Sequence, residues 1–399
     1  MIRKITPVLA VFLIVMTSVF GNAQQNANLP AEAPTKKLRF FNLDLHISVI
    51  ADVKNILETM GHEVVNWSIS GHTFVFGKKR DQVDVVNENT WQGLDRQMCD
   101  RFYERYKDYL NQFDGFIVTH NASFALLYEK FNKPIIVVNS TRYENPFTRS
   151  PEKWTWLNAY LKEGVKKNKI FLISNNKGDQ RYLKHYTGLD SEHIPSLCLY
   201  TQGQYTGKTD GFILHSLEGS NFLNVMKKTL KNPNLIQNDK LPYAYKWQTL
   251  YDFKGVIHLP YNISTMSMFE QYSANMPLFV PHKNLLYTLK KQHLSGALNQ
   301  LSWFVVHNVP TPTLQGDPNN VESESTLNFW LNAADFYDQE NMPYIQHFES
   351  FAQLESMLQT VDLKQISTQM NQHNVERKAK AFKQWEAILQ KVILSCEQP

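Results

Sequence analysis

The chain has 399 residues, enough for two domains of ordinary size, with 41 basic and 37 acidic residues and a formal charge of +4. No basic stripe interleaved with aromatics accompanies that near-balance, which excludes a nucleic-acid-binding protein. Three cysteines, Cys99, Cys198 and Cys396, are too few for a disulfide framework.

The chain opens on Arg3 and Lys4, an apolar run from Pro7 to Phe20 and the small residues Gly21-Asn22-Ala23. This is a secretory leader over 1–23, with an uncleaved anchor as the other reading. It implies an exported setting: periplasm, extracellular space or an endomembrane lumen. Residues 24–36, rich in Gln, Asn, Ala and Pro, form a flexible lead-in. Strands then alternate with helices, the pattern of parallel α/β sheets. Strands are predicted at Leu38–Phe41, His62–Ser68, Asp114–Val118 and Pro134–Val138. Gly61 closes the helix that follows the first strand, and Ser123 caps a helix through Phe131. These elements make one Rossmann-like domain over 37–165. Four Asn-x-Ser/Thr sequons stand at Asn66, Asn121, Asn139 and Asn262. The last three fall near strand ends, so not all are expected to carry glycans.

Lys166-Lys167-Asn168-Lys169 breaks the apolar rhythm and marks a domain boundary. A second Rossmann-like domain spans 166–362, with strands at Ile170–Ser174, Ile194–Tyr200, Gly211–His215, from Gly255, from Leu278 and at Tyr344–Phe348. A helical tail covers 363–399. In it Val375, Ala379, Phe382, Trp385, Leu389 and Val392 recur on one face, an apolar stripe that needs a cover.

The informative stretch is Gly255 to Pro281: an apolar strand, a hydroxyl-rich turn, a short helix, then Pro277 opening the next strand. Ser267 and Glu270 have the spacing of a capping box; the alternative sets Glu270 beside a helix N-terminus as a ligand-binding carboxylate. Glu270, Ser273, Asn275 and Pro277, spaced Glu-x-x-Ser-x-Asn-x-Pro, resemble the donor-site signature of GT-B glycosyltransferases, Glu-x-x-Ala-x-Gly-x-Pro. Asn275 departs from the family's Gly, and Asn is the side chain that best tolerates left-handed backbone there. The resemblance implies two Rossmann-like domains facing a cleft, with the C-terminal helix returning to the first. It also implies that Glu270 holds the donor ribose or sugar and that Ser264, Thr265, Met266 and Ser267 meet the diphosphate.

Ligands of parallel sheets gather beyond the carboxyl ends of the strands. The polar residues read at those ends include Asp44, His46, His120, Asn121, Arg142 and Glu144, then Asn176, Lys177, Tyr200, His215, His258 and Tyr261. Transfer to a hydroxyl gains from a general base that titrates near neutrality, so His46 or His120 is the candidate base, with Asp44 or Asp114 to orient the imidazole. Lys177 and Asn176 would face the diphosphate, with His258 and Tyr261 nearby; a solvated turn lysine and a structural histidine are the plainer readings of Lys177 and His258. Asn121, Arg142 and Glu144 fall to the acceptor side. No Asp-x-Asp, His-Glu-x-x-His or Cys-x-x-Cys occurs, so no metal site or cofactor is indicated. The reading is an exported, metal-independent glycosyltransferase with a nucleotide-sugar donor and a hydroxyl-bearing acceptor such as a glycan. The competing reading is a two-domain solute-binding protein, and a degenerate GT-B fold is a third.

Overall fold

The computed structural model describes residues 36–216, 221–231, 234–241, 245–292, 297–298 and 324–397. The leader and nearly all of the lead-in lie outside the described residues. The first sheet contains β1 (Arg39–Asp44), β2 (Glu63–Ser68), β3 (Gly115–Val118), β4 (Ile135–Asn139), β5 (Ile170–Ser174) and the two-residue β6 (Glu192–His193). Its order is β2-β1-β3-β4-β5-β6, and every pairing is parallel. The second sheet is built from β7 (Thr209–His215), β8 (Leu235–Gln237), β9 (Phe253–His258), β10 (Leu278–Pro281) and β11 (Gln346–Phe348), in the order β11-β10-β9-β7-β8, again all parallel. Each sheet is filled by one continuous part of the chain, and the last helix returns to the first domain.

The same device recurs in both sheets. A Cβ on Gly115 would meet the Pro134 carbonyl at 2.9 Å, and one on Gly255 would meet the Pro277 carbonyl at 2.9 Å. The next amides, of Phe116 and Val256, bond those same carbonyls. Glycine is required where a proline opens the neighbouring strand that closely.

The domain boundary differs from the sequence reading. Residues 166–193 belong to the first domain, because β5 pairs with β4 from Ile135↔Ile170 to Asn139↔Ser174. The lysine run at 166–169 is the end of α3 (Pro151–Lys166), where Asn168 takes φ 54 and turns the chain into β5. A helix end and a domain linker carry the same polar composition, so the sequence break was ambiguous. The crossing lies between β6 and β7. There Ile194–Tyr200 forms no strand; Cys198 within it and Gln202 just after it take positive φ. Ala122–Tyr128 is a 3-10 segment, and Ser123 donates to the Asn145 carbonyl instead of capping it. Asn121, Asn139 and Asn262 are buried, which leaves Asn66 as the partly exposed sequon.

Helix α11 (Leu363–Cys396) crosses back as expected. Phe382, Trp385, Ile388, Leu389 and Val392 pack with α1 (Ile47–Thr59) against Phe40, Ile117, Ile136 and Ile173 of the first sheet. The buried stripe departs from the predicted face over its first half. Val375 is 60% exposed and Ala379 is exposed too, whereas Arg377 is buried. Over that stretch the helix bridges the domains through polar groups: Asn374 bonds the Tyr272 carbonyl at 2.8 Å, and Arg377 bonds Ser273 Oγ at 3.2 Å and the Ser196 carbonyl. No helix among the described residues is long and apolar enough to cross a membrane.

Truncating a buried tryptophan costs about 3–5 kcal/mol, so Trp385→Ala is expected to lose that much in urea unfolding. Val375→Ser should stay within about 0.5 kcal/mol of the parent. Equal losses would contradict the exposed placement of Val375.

Candidate functional site

A cavity of about 780 Å³ lies between the domains, at the carboxyl ends of both sheets. The first domain contributes the start of α1 with Leu45, His46, Ile47 and Ser48, and the loop holding Ser70, His72, Phe74 and Val75. The second contributes His215, Asn238, Asp239, Leu241, Tyr245, Trp247 and Tyr261, and Met266, Ser267 and Glu270 of α7 (Met266–Ser273). Both helices present uncapped N-termini here. Neither His46 before α1 nor Thr265 before α7 makes a side-chain cap, and neither first turn holds an acid. Free amides and the positive end of each helix dipole therefore meet in one cavity.

Glu270 is not a cap. The N-cap of α7 is Thr265, so Ser267 is already helical, and its hydroxyl lies 3.2 Å from His215 Nε2. The Glu270 carboxylate instead accepts from Tyr200 Oη at 2.5 Å, with further hydrogen bonds from Trp247 and from Ser48 across the cavity. Burial pushes its carboxyl up to about 7 despite those three donors. Asn275 ends the helix at φ 63, the left-handed backbone that glycine takes most readily, and its side chain also bonds Gln204 and Asn371.

His46 and His120 come together, with ring centroids 5.1 Å apart, and of the two His46 lines the cavity. Asp44 does not orient either ring. Its carboxylate accepts the amides of Leu45, Thr119 and His120 at 2.7, 2.8 and 2.9 Å, which ties the ends of β1 and β3 together. Asp114 accepts the Arg39 amide at the opposite end of the sheet. Burial, and His72 beside it, lower His46 to about 4, so its imidazole is neutral at pH 7. Burial raises Asp44 to about 6.

Other predicted residues lie elsewhere. Asn176 caps α4 (Lys177–Thr187) by accepting the Asp179 amide, and the Lys177 ammonium is ion-paired with Asp338 on another face. Both belong to the first domain and neither lines the cavity. His258 is fully buried, stacked on His215 at 4.3 Å and 3.0 Å from Gln271 Oε1, a structural histidine under the floor. Tyr261 lines the cavity with Met266 and Ser267, and Ser264 and Thr265 complete the turn before them. Asn121 and Glu144 are fully buried, and neither they nor Arg142 reaches the cavity wall. Glu144 accepts from Tyr182 Oη at 3.1 Å, and Asn121 Oδ1 accepts from Asn145 at 3.4 Å. Phe74, Val75, Tyr245 and Trp247 were missed, although Phe74-Val75-Phe76 is an apolar triplet inside a polar excursion. Among the described residues no group of three or more His, Cys, Asp or Glu side chains is placed to hold a metal.

No family model matches the chain, and no curated protein matches it. Among solved structures, the glycosyltransferase SnogD from Streptomyces nogalater aligns over 88% of this chain and 100% of its own, at 11% identity and TM-score 0.44. Spinosyn rhamnosyltransferase SpnG, complexed with spinosyn aglycone, covers 81% of this chain and 100% of its own, at 10% identity and TM-score 0.36. The Streptomyces glycosyltransferase SsfS6, complexed with thymidine diphosphate, covers 81% and 100%, at 11% identity and TM-score 0.35. Identities this low describe a chain path and not a shared site. Two parallel α/β domains around a cavity, with a last helix returning to the first domain, are the GT-B arrangement.

Burial raises Glu144 from its ordinary 4.5 to about 7. The folded state therefore holds that proton more tightly than the unfolded state does. Its contribution to stability is complete below about pH 4.5 and is lost as pH rises through about 7, a change of roughly 3 kcal/mol. Urea unfolding across that window should show the parent losing this much relative to Glu144→Gln. Parallel pH curves would rule the shift out.

Proposed function

We propose that the protein transfers a sugar from a nucleotide-sugar to a hydroxyl acceptor in the inter-domain cavity. The observation that carries this reading is Glu270, a carboxylate inside the cavity one turn from the uncapped N-terminus of α7. A ribose or sugar hydroxyl pair can exchange into the bonds Glu270 makes with Tyr200, Trp247 and Ser48. The diphosphate lies on the free amides of α7, where the helix dipole favours an anion without a side-chain cation. No lysine or arginine lines the cavity among the described residues, so the amides and dipoles hold the leaving charge.

In the transfer, the bond from the anomeric carbon to the diphosphate oxygen breaks as the bond to the acceptor oxygen forms. In an inverting reaction the acceptor proton passes to His46. Its imidazole is neutral and ready to accept, and a diphosphate anion in the same cavity raises its basicity toward the useful range. A retaining reaction needs no such base. Metal independence belongs to this proposal, as does the exported setting that the leader at 1–23 supports. A solute-binding protein of the hinged kind threads its chain between lobes repeatedly, whereas here each sheet is sequential.

A thermal-shift screen tests the reading. A nucleoside diphosphate at a hundredfold over its dissociation constant should stabilise the mature protein by about 2.7 kcal/mol. Glu270→Ala should abolish that shift while keeping the fold. His46→Ala should keep the shift but lower turnover by about a hundredfold or more if configuration is inverted. Stabilisation by free sugars alone would instead favour the binding protein.

A further inference from the structure

We propose that the acceptor is an uncharged, hydroxylated aromatic molecule, held flat against an apolar wall of the first domain. This rests on the transferase reading for its name as an acceptor, but the site stands on its own residues. The wall is the loop between Gly71 and Gly77, together with Leu45 and Ile47 at the start of α1. Its core is one 3-10 turn, Thr73–Phe76, closed by Gly77 at φ 65. A loop tip ordinarily turns apolar side chains away from water, yet Val75 is 38% exposed and faces the cavity beside Phe74. Few large apolar residues are exposed on the described surface, and the other three, Tyr344, Val375 and Leu394, do not line this cavity. Apolar surface concentrated in a concave site marks a ligand wall.

The turn is anchored so that this wall keeps its distance from the donor site. Phe76 packs on Tyr200 at 5.5 Å and on Trp247 at 5.4 Å between ring centroids. Those are the same two side chains that hydrogen-bond Glu270. Leu241 and Tyr245 of the second domain line the same cavity. A flat ring bound there meets aromatic and aliphatic surface from both domains.

Charge narrows the class further. The charged residues lining the cavity are Asp239 and Glu270, both acidic, with no lysine or arginine among the described lining residues. A phosphorylated or otherwise anionic acceptor would add its charge beside the donor diphosphate with no lysine or arginine among the described lining residues to offset it. The first domain's polar lining is His46, Ser48, Ser70 and His72, so glycan hydroxyls that face Leu45, Ile47, Phe74 and Val75 would lack partners, each at a desolvation cost. An aromatic alcohol places one hydroxyl at His46 and buries the rest.

Calorimetric titration of the mature protein with umbelliferone, lactose and a nucleoside diphosphate tests this. The expected result is binding of umbelliferone and none of lactose. Val75→Asn, at an exposed position where folding is not at risk, should weaken umbelliferone roughly tenfold, the worth of one buried valine side chain, and leave the diphosphate affinity unchanged. Binding of lactose in preference to umbelliferone, no umbelliferone binding at all, or an unchanged umbelliferone affinity in Val75→Asn would each overturn the inference. If umbelliferone responds to the substitution while no nucleoside diphosphate binds, the transferase reading fails and the aromatic site remains.

Discussion

The structure depends on covering one apolar face of the first sheet. Phe40, Ile117, Ile136 and Ile173 point to that face, and α1 covers only part of it. The remainder is closed by Phe382, Trp385, Ile388 and Leu389 from the end of the chain. Burying side chains of that size is worth about 1.5–3 kcal/mol each, so the last helix is held strongly. Because it starts in the second domain, its burial also fixes how the two sheets face one another. The same helix passes α7 on its way, and Asn374 and Arg377 hold the end of α7 and the linker carbonyl of Ser196. From the other side, Asp52 of α1 accepts the linker amides of Leu197 and Cys198 at 3.2 and 2.7 Å. The helix that carries Glu270 is thus referenced to the domain that carries His46.

The same clamp gives Asn275, the residue that ends α7, more than a backbone role. A glycine would satisfy the left-handed backbone after α7, and with less strain. Asn275 takes that backbone and in addition reaches Gln204 of the linker and Asn371 and Asn374 of α11. Asn275 thereby makes this helix end a junction of three segments. The cost of φ 63 for a non-glycine residue is modest for Asn, and the hydrogen bonds offset it.

Elements whose signal is local were legible in the sequence. Pro134 and Pro277 open strands because each meets a glycine in the strand beside it, and the period of α11 from Phe382 onward predicted its buried face. Elements whose meaning depends on the partner were not. The lysines at 166–169 look the same at a helix end as at a linker. Val375 continues the helical period of α11 into a region where the helix has no apolar neighbour. Lys177 and Glu144 sit after strands as predicted, but Asp338 and Tyr182, distant in sequence, draw them away from the cavity. Glu270 satisfied the spacing of a capping box, and only the placement of Tyr200 and the start of α7 at Met266 decide against it.

The placement of Asp44 bears on the chemistry. A carboxylate beside a histidine is commonly read as the group that orients and charges it, and the sequence Asp44-Leu45-His46 invites that reading. Here the oxygens of Asp44 are taken by three backbone amides, and the result is structural: the ends of β1 and β3 are drawn together until His46 and His120 meet. His46 is left in a buried, neutral state, and Asp44 lends its ring no support for a positive charge. A base in that condition is weak until an anion comes near it. In the proposed function that anion is the diphosphate on the amides of α7, whose first residues line the same cavity as His46. In the proposed transfer, donor binding would supply the charge that makes the base effective and so couple proton transfer from the acceptor to occupation of the donor site. A cavity lined by lysines would hold the diphosphate more tightly but would cancel that effect, and the absence of lysine and arginine among its described lining residues is consistent with the coupling.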